Sequence, residues 1–498
     1  VAFSNKYLKE DNYAVIYKKQ GKDPNEKKMT KPEITPIITN RDVASPFLVE
    51  VQESAVKPIE PVFLDYQKDM SQLKAKSDIP VLYKQNVAND LFQLIYVFDM
   101  GNNHDKALGT AFDYLEYLGT SDMTPEELKS EFYRLACTFY VSPGNERTYV
   151  VLSGLNENMP AAVQLFEKLL ADAQVNKEAY TNMTSDILKA RSDAKLNQGQ
   201  NFSRLMSFAM YGPKSPATNL LTEAELTNMN PQELVDRIHN QNSYKHRILY
   251  YGPSSSKDLL ATINQYHQVP AALKDIPAGN EYAYLETPVT KVLVAPYDAK
   301  QIYMAQISNL DKKYDPAIEP IRALYDEYFG GGMNSIVFQE MRETRGLAYS
   351  AWASIMPPSY LKYPYVLRTQ IATQNDKMID AVTTFNDIIN NMPESEAAFK
   401  LAKDGLTNRL RTERIIKGDI IWSYINAQDL GQNVDPRIKL YNDIQNMSLK
   451  DIVDFQKQWV KGRTYVYCIL GDKKDLELDK LKAVGPIEEL TQEQIFGY

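Results

Sequence analysis

Histidine and cysteine are scarce in this chain, four of the first and two of the second among 498 residues. Cys137 and Cys468 are too few for a disulfide framework and fall in different halves of the sequence, so no structural bridge is expected and the compartment is left open. His104, His239, His246 and His267 include no pair at the close helical spacing of a zinc site, and neither "HExxH" nor "HxxEH" occurs. No run of eighteen apolar residues is present, which excludes a membrane-spanning helix and makes a soluble protein the expectation. A basic excess is missing too, and the net charge of −8 argues against a nucleic-acid binder. The first residue is Val1, without a signal-peptide pattern, as expected of a piece of something longer.

What is present is ordinary globular composition, 44% apolar and 24% charged, at a length that predicts two or three domains. Internal similarity organises it. "NMNPQELVDRI" (228–238) recurs as "NMSLKDIVDFQ" (446–456), and each precedes a Tyr- and Ile-rich strand, "YKHRILYYGP" (244–253) and "GRTYVYCILGD" (462–472). Earlier, "FQLIYVFDMGNNHDKALGTAFDYLEYLGT" (92–120) resembles "IYMAQISNLDKKYDPAIEPIRALYDEYFGGG" (302–332), both reading as strand, loop and amphipathic helix closing at glycine. The copies lie about 210 to 218 residues apart, so two units of one fold are expected at 48–275 and 276–498.

"YLKEDNYAVIYKKQ" (7–20) has the layout of "WVKGRTYVYCILGD" (459–472), so residues 1–20 are expected to be the closing strand of a missing upstream unit. Between them and the first full unit, 21–47 is rich in Lys and Pro; proline fixes φ and removes a donor, which predicts an extended hinge strap.

Within each unit, strands mix with long helices without regular alternation, which predicts α+β units of an antiparallel sheet with packed helices. In the second, Asp315 and Pro316 predict a helix start, Ile318, Ile321, Leu324, Tyr325 and Tyr328 its apolar stripe, and Gly330 its end. Asn334 or Ser335 is expected to cap the next helix and Gly346 to stop it. From Leu347 a strand is expected with Leu347, Tyr349, Ala351 and Ala353 on one face. Further helices are expected at 377–391, 394–416 and 448–459.

"FGGGMNSIVFQEMRETRGLAYS" (329–350), with the repeat over roughly 60–498, resembles the insulinase/pitrilysin family of zinc peptidases, specifically their C-terminal, non-catalytic half. The resemblance implies repeated α+β units, two to a half, with two halves facing each other as a clamp around a chamber. The catalytic half carries "HxxEH" and a distal Glu; the two His and the distal Glu hold zinc, and the first Glu activates water. Here "TAFDY" (110–114) stands where that motif would sit, with Thr110 and Tyr114 in the histidine positions and Asp113 in the glutamate position. A hydroxyl and a phenol are poor replacements for imidazoles, so zinc is expected in the full enzyme but not in this chain. His104 is expected to be a solvated loop residue.

The resemblance further implies that an Arg and a Tyr seven residues apart on this half point across the chamber at the zinc; here they are Arg342 and Tyr349. When a peptide carbonyl is attacked, negative charge grows on its oxygen, which a phenol and a guanidinium can stabilise by hydrogen bonding. Positions 338, 339, 345 and 346 hold no carboxylate, so Arg342 has no expected ion partner at helical spacing, and Arg345 is the more structural of the two arginines. Gly330, Gly331 and Gly332 are expected either to end a helix or to contact substrate. The expected function is the substrate-clamping half of a zinc metalloendopeptidase. Its partners would be an HxxEH-bearing N-terminal half, in the same polypeptide or as a separate subunit, and peptides. The alternative is an inactive structural or assembly protein of the same fold, like the core subunits of respiratory complexes.

Overall fold

A computed structural model describes residues 1–19, 21, 45–55, 57–299 and 301–498. The chain divides into two compact units, Val1–Pro58 and Ile59–Tyr498. In the smaller, Ala2–Tyr7 and Pro46–Glu53 are helical, the latter capped by Ser45, whose hydroxyl accepts from the Leu48 N–H at 3.2 Å. Of residues 1–20, expected to be the closing strand of a missing unit, Ala2–Tyr7 are helical and 8–19 have no regular structure and are exposed. A strand is completed by a neighbour's backbone groups, and residues 7–19 have no such neighbour among the described residues. Amides at 8–19 are therefore expected to exchange within the shortest labelling time while those at 466–471, inside a sheet, stay protected. Matching protection of the two segments in a monomer would show that 8–19 does find a sheet. Of the expected strap at 21–47, residues 22–44 lie outside the described residues, and its boundary with the first repeat falls inside Pro46–Glu53.

The larger unit contains two six-stranded sheets. The first is built from β1 (Ser71–Lys74), β2 (Pro80–Gln85), β3 (Leu91–Phe98), β4 (Cys137–Pro143), β5 (Thr148–Leu155) and β6 (Arg247–Gly252) in the order β1-β2-β6-β3-β5-β4. The second is built from β7 (Lys291–Pro296), β8 (Gln301–Lys313), β9 (Ala348–Met356), β10 (Pro364–Gln374), β11 (Val466–Gly471) and β12 (Ile487–Glu489) in the order β12-β7-β11-β8-β10-β9. Apart from the outermost strand the two orders are the same. Corresponding strands start 210 to 219 residues apart, Leu91 against Gln301 and Arg247 against Val466 at the extremes. The repeat read from sequence is thus a repeat of topology. Two details depart from expectation. The last long strand of each repeat is central rather than terminal, and it runs parallel to β2 or β7 and antiparallel to β3 or β8, so neither sheet is purely antiparallel.

Central strands need apolar residues on both faces when both are covered. In β11, VYCILG, every residue is buried for this reason. One face of each sheet packs on helices of its own repeat: Ala162, Phe166 and Leu170 of Met159–Asp172 cluster with β3 and β5, and Phe385 and Ile389 of Met378–Asn390 with β8 and β10. The other face takes a helix from the opposite repeat. Phe202, Leu205 and Ala209 of Gln198–Tyr211 pack on Leu293, Ile307 and Leu470. Ile420, Ile421 and Ile425 of Asp419–Asp429 pack on Leu82, Val97 and Leu249. Burying one such side chain contributes about 1.5–3 kcal/mol, so this reciprocal exchange binds the repeats together. Arg147, in the β4–β5 turn, adds a bidentate ion pair to Asp429 at 2.6 Å and a second to Asp99 at 2.5 Å. Both cysteines are free and buried, and burial pushes the Cys468 thiol up to about 12, so it is unreactive at neutral pH.

Candidate functional site

The helix Glu319–Phe329 leads into the site. Leu324, Tyr325 and Tyr328 are its buried stripe, with Ile318 and Ile321 packed at the margin. It starts three residues later than Asp315–Pro316 predict: Asp315 instead closes a turn, its carboxylate accepting from the Ala317 N–H at 2.8 Å, and Pro320 is the first-turn proline. Gly330 ends the helix because it lies on the backbone of β9, where a Cβ would run into the nitrogen and carbonyl oxygen of Ala353. A Cβ on Gly331 would meet the Asp326 carbonyl oxygen at 2.8 Å, whereas Gly332 has room. Packing thus accounts for the first two glycines.

Ser335 caps the short helix Ile336–Phe338 as expected, accepting from the Phe338 N–H at 3.4 Å. The chain then widens into a π-helical turn, Gln339–Thr344, where an α-helix was expected. In a π-turn residues five apart share a face. Glu340 accordingly pairs with Arg345 at 3.5 Å, and Arg345 also donates to the Thr384 hydroxyl at 3.3 Å, which holds it away from Arg342. Arg342 has an ion partner that helical spacing did not predict, the adjacent Glu343, 3.5 Å from its Nε. Gly346, at φ +56°, stops the turn as expected.

Tyr349 was expected on the face of Ala351 and Ala353. Those two are buried, but Tyr349 is 77% exposed. The cause is a β-bulge: Ser350 pairs with Ala372 and Ala348 with Thr373, leaving Tyr349 as the extra residue. A bulge bends the strand and re-aims a side chain, here out of the sheet and toward the π-turn. The Arg342 guanidinium consequently lies 4.7 Å from the Tyr349 ring centre and 4.9 Å from that of Phe338. Stacking fixes the plane of the guanidinium while leaving its edge free to donate. Among the described residues neither the Tyr349 hydroxyl nor the two terminal nitrogens of Arg342 have a hydrogen-bond partner. A phenol hydroxyl and the terminal nitrogens of a guanidinium, donors of the kinds that stabilise a developing oxyanion, therefore stand side by side on the surface.

The first repeat offers no matching metal site. "TAFDY" lies in the helix Leu108–Leu115. Tyr114 is buried, its hydroxyl donating to the Asn176 carbonyl at 2.6 Å and accepting from the Asn176 N–H at 2.8 Å, so the phenol is committed to tying two helices. Thr110 is half-buried and Asp113 exposed. These residues do not fit zinc, and no group of three or more His, Cys, Asp or Glu able to hold a metal occurs among the described residues. His104 is not simply solvated; half-buried, it closes a turn by accepting from the Gly101 N–H at 3.1 Å.

Sequence spacing missed a buried cluster. His246 and His267 meet through their Nε2 atoms at 2.8 Å, and His267 Nδ1 lies 2.6 Å from Glu167 Oε1. Glu167 Oε2 accepts from Asn242 and from the Gln268 N–H, and His246 Nδ1 donates to the Tyr244 carbonyl at 2.7 Å. With that donation fixed, the Nε2 of neutral His246 accepts from His267. Burial, and secondarily His267, push His246 down to about 4. Glu167 lies in the helix Met159–Asp172, Asn242 in the turn Gln241–Ser243, and His246 and His267 in connecting segments, so no local motif announces the cluster.

Residues 248–406 match the family model described as the peptidase M16 inactive domain. The non-peptidase homolog YmxG of Helicobacter pylori is 23% identical over 422 residues, spanning 80% of this chain and 93% of that protein. Among solved structures, the peptidase M16 inactive domain from Pseudomonas fluorescens superposes with a TM-score of 0.63 at 15% identity, over 81% of this chain and 98% of that one. The periplasmic protease PqqL from Escherichia coli gives 0.64 at 13% identity, over 95% of this chain but 50% of that protein. The chain therefore spans about half the length of PqqL. Among the described residues, no helix is long and apolar enough to cross a membrane.

Proposed function

We propose that this chain, whose residues 248–406 match the peptidase M16 inactive domain, is the substrate-clamping half of a zinc metalloendopeptidase. The observation that carries this reading is the Tyr349 hydroxyl and the terminal nitrogens of Arg342, unpaired among the described residues and brought together by a π-turn and a bulge. Backbone irregularities of this kind cost stability and recur at functional sites, where they aim side chains. The partner half, carrying "HxxEH", supplies the zinc; this chain supplies grip. Arg342 and Tyr349 donate to the carbonyl oxygen under attack and to the neighbouring peptide backbone. Gly332, free of packing demands, leaves the backbone beside them open to substrate. Residues 21–47 serve as the strap to the other half.

Elemental analysis after dialysis and a quenched-peptide assay test the reading. The chain alone is expected to hold no stoichiometric zinc and to cleave nothing, and cleavage is expected once the HxxEH-bearing half is added. One zinc held per chain, or a chain that has no effect on that half, would sink it. A second reading, an inactive assembly protein, is favoured by the description of the Helicobacter relative as a non-peptidase. It predicts a stable complex with no peptide turnover.

A further inference from the structure

Among the described residues Arg368, in β10, is a cation without a counter-ion. It is half-buried and makes no ion pair among the described residues; its Nε is buried without a hydrogen-bond partner. Its one polar contact among the described residues is the Gln370 side-chain oxygen, 2.8 Å from Nη2. The guanidinium lies 5.2 Å from the ring centre of Trp352, on β9. Withdrawing a charge from water costs free energy that a carboxylate normally offsets, and burial accordingly pushes the Arg368 pKa down.

Its placement points to the kind of anion that would pair with it. Among the described residues β9 is an edge strand, pairing only with β10. At its far end Asp326 accepts from the Ile355 N–H at 2.9 Å and Arg322 donates to the Ile355 carbonyl at 3.1 Å, which covers that edge. Tyr349 stands at the near end. Arg368 reaches from β10 across to β9, and Trp352 lies three residues, or about 10 Å, beyond Tyr349. We propose that Arg368, backed by Trp352 and oriented by Gln370, is a specificity subsite that takes a carboxylate of an extended peptide about three residues from the Arg342–Tyr349 pair. This rests on the peptide-clamping reading above. A single planar fork with no second cation in contact suits a side-chain or terminal carboxylate better than a dianion.

The test is fluorescence anisotropy with labelled nonapeptides in which one Glu, or Gln in the control series, is moved along the sequence. At one position the Glu peptide is expected to bind the chain about tenfold more tightly than its Gln counterpart, as a charge-assisted contact provides. Arg368→Gln is expected to abolish the preference without weakening the Gln series, and Arg368→Lys to keep part of it. A terminal carboxylate as the true ligand would show as a tenfold loss on C-terminal amidation with no internal position preferred, which also supports the subsite. Binding with no carboxylate preference, or a preference unchanged in Arg368→Gln, overturns the subsite alone. No binding of any peptide overturns the clamping reading and the subsite with it.

Discussion

Tyr349→Phe, in the assembled enzyme, is expected to lower kcat by about 10²–10³, equivalent to about 3–4 kcal/mol, while leaving the fold intact. The ring stays, so the stack under Arg342 at 4.7 Å stays. The hydroxyl has no hydrogen-bond partner among the described residues, and Tyr349 is 77% exposed, so removing one oxygen should change stability by no more than about 0.5 kcal/mol. A loss of rate without a loss of stability isolates a donor that acts only as charge develops. Arg342→Ala should cost a comparable factor, with part appearing in KM, because a guanidinium also grips the ground-state backbone. Arg345→Ala is the control. It carries the same charge three residues away, but it is engaged by Glu340 and Thr384 and should cost little activity. Comparing kcat and KM at matched zinc content decides the matter. A silent Tyr349→Phe, or an Arg345→Ala as damaging as Arg342→Ala, removes the role assigned to the pair.

That Arg342 and Tyr349 form a pair was legible only through the family resemblance, because their proximity rests on two features that strictly local patterns do not encode. The π-turn replaces the α-helical spacing on which the ion-partner argument depended, so Glu340–Arg345 and Arg342–Glu343 both escaped it. The bulge at Tyr349 is set from β10, where Thr373 pairs with Ala348 and donates its hydroxyl to the Leu347 carbonyl at 2.5 Å. What was legible is what burial periodicity and capping write locally. The stripe Leu324–Tyr325–Tyr328, the Ser335 cap and the Gly346 stop all form, and the helices expected at 377–391, 394–416 and 448–459 appear as Met378–Asn390, Glu396–Thr412 and Leu449–Trp459. The exchanged helix Asp419–Asp429 was not foreseen. Its apolar residues answer a sheet more than 160 residues away in sequence, so their pattern gains meaning only once both repeats are folded.

Acidification should expose the buried histidine cluster. His246 has a folded-state pKa of about 4, against 6.5 for a free imidazole. Between those values the unfolded chain binds more protons than the folded one, so the contribution of neutral His246 is complete above pH 6.5 and lost as pH falls through 4, up to about 3 kcal/mol. The geometry gives the reason: a proton on His246 Nε2 would face the His267 N–H at 2.8 Å, with Phe98 packed beside the ring and, among the described residues, no carboxylate bonded to it. Asp326 works in the opposite sense. Burial pushes it up to about 6 despite Arg322, so its contribution is complete below 3.8 and is lost as pH rises through 6, by a similar amount. The two nearly cancel, and the parent chain should show a shallow pH dependence between 6.5 and 4. Substitution separates them. His246→Gln, measured by urea unfolding across that range, should start less stable at pH 7 and then gain about 3 kcal/mol relative to the parent as pH falls to 4. Asp326→Asn should lose a comparable amount relative to the parent over the same interval. Parallel pH curves for the parent and His246→Gln would mean that His246 is protonated in the folded chain, and that the hydrogen-bond assignment within the cluster is wrong.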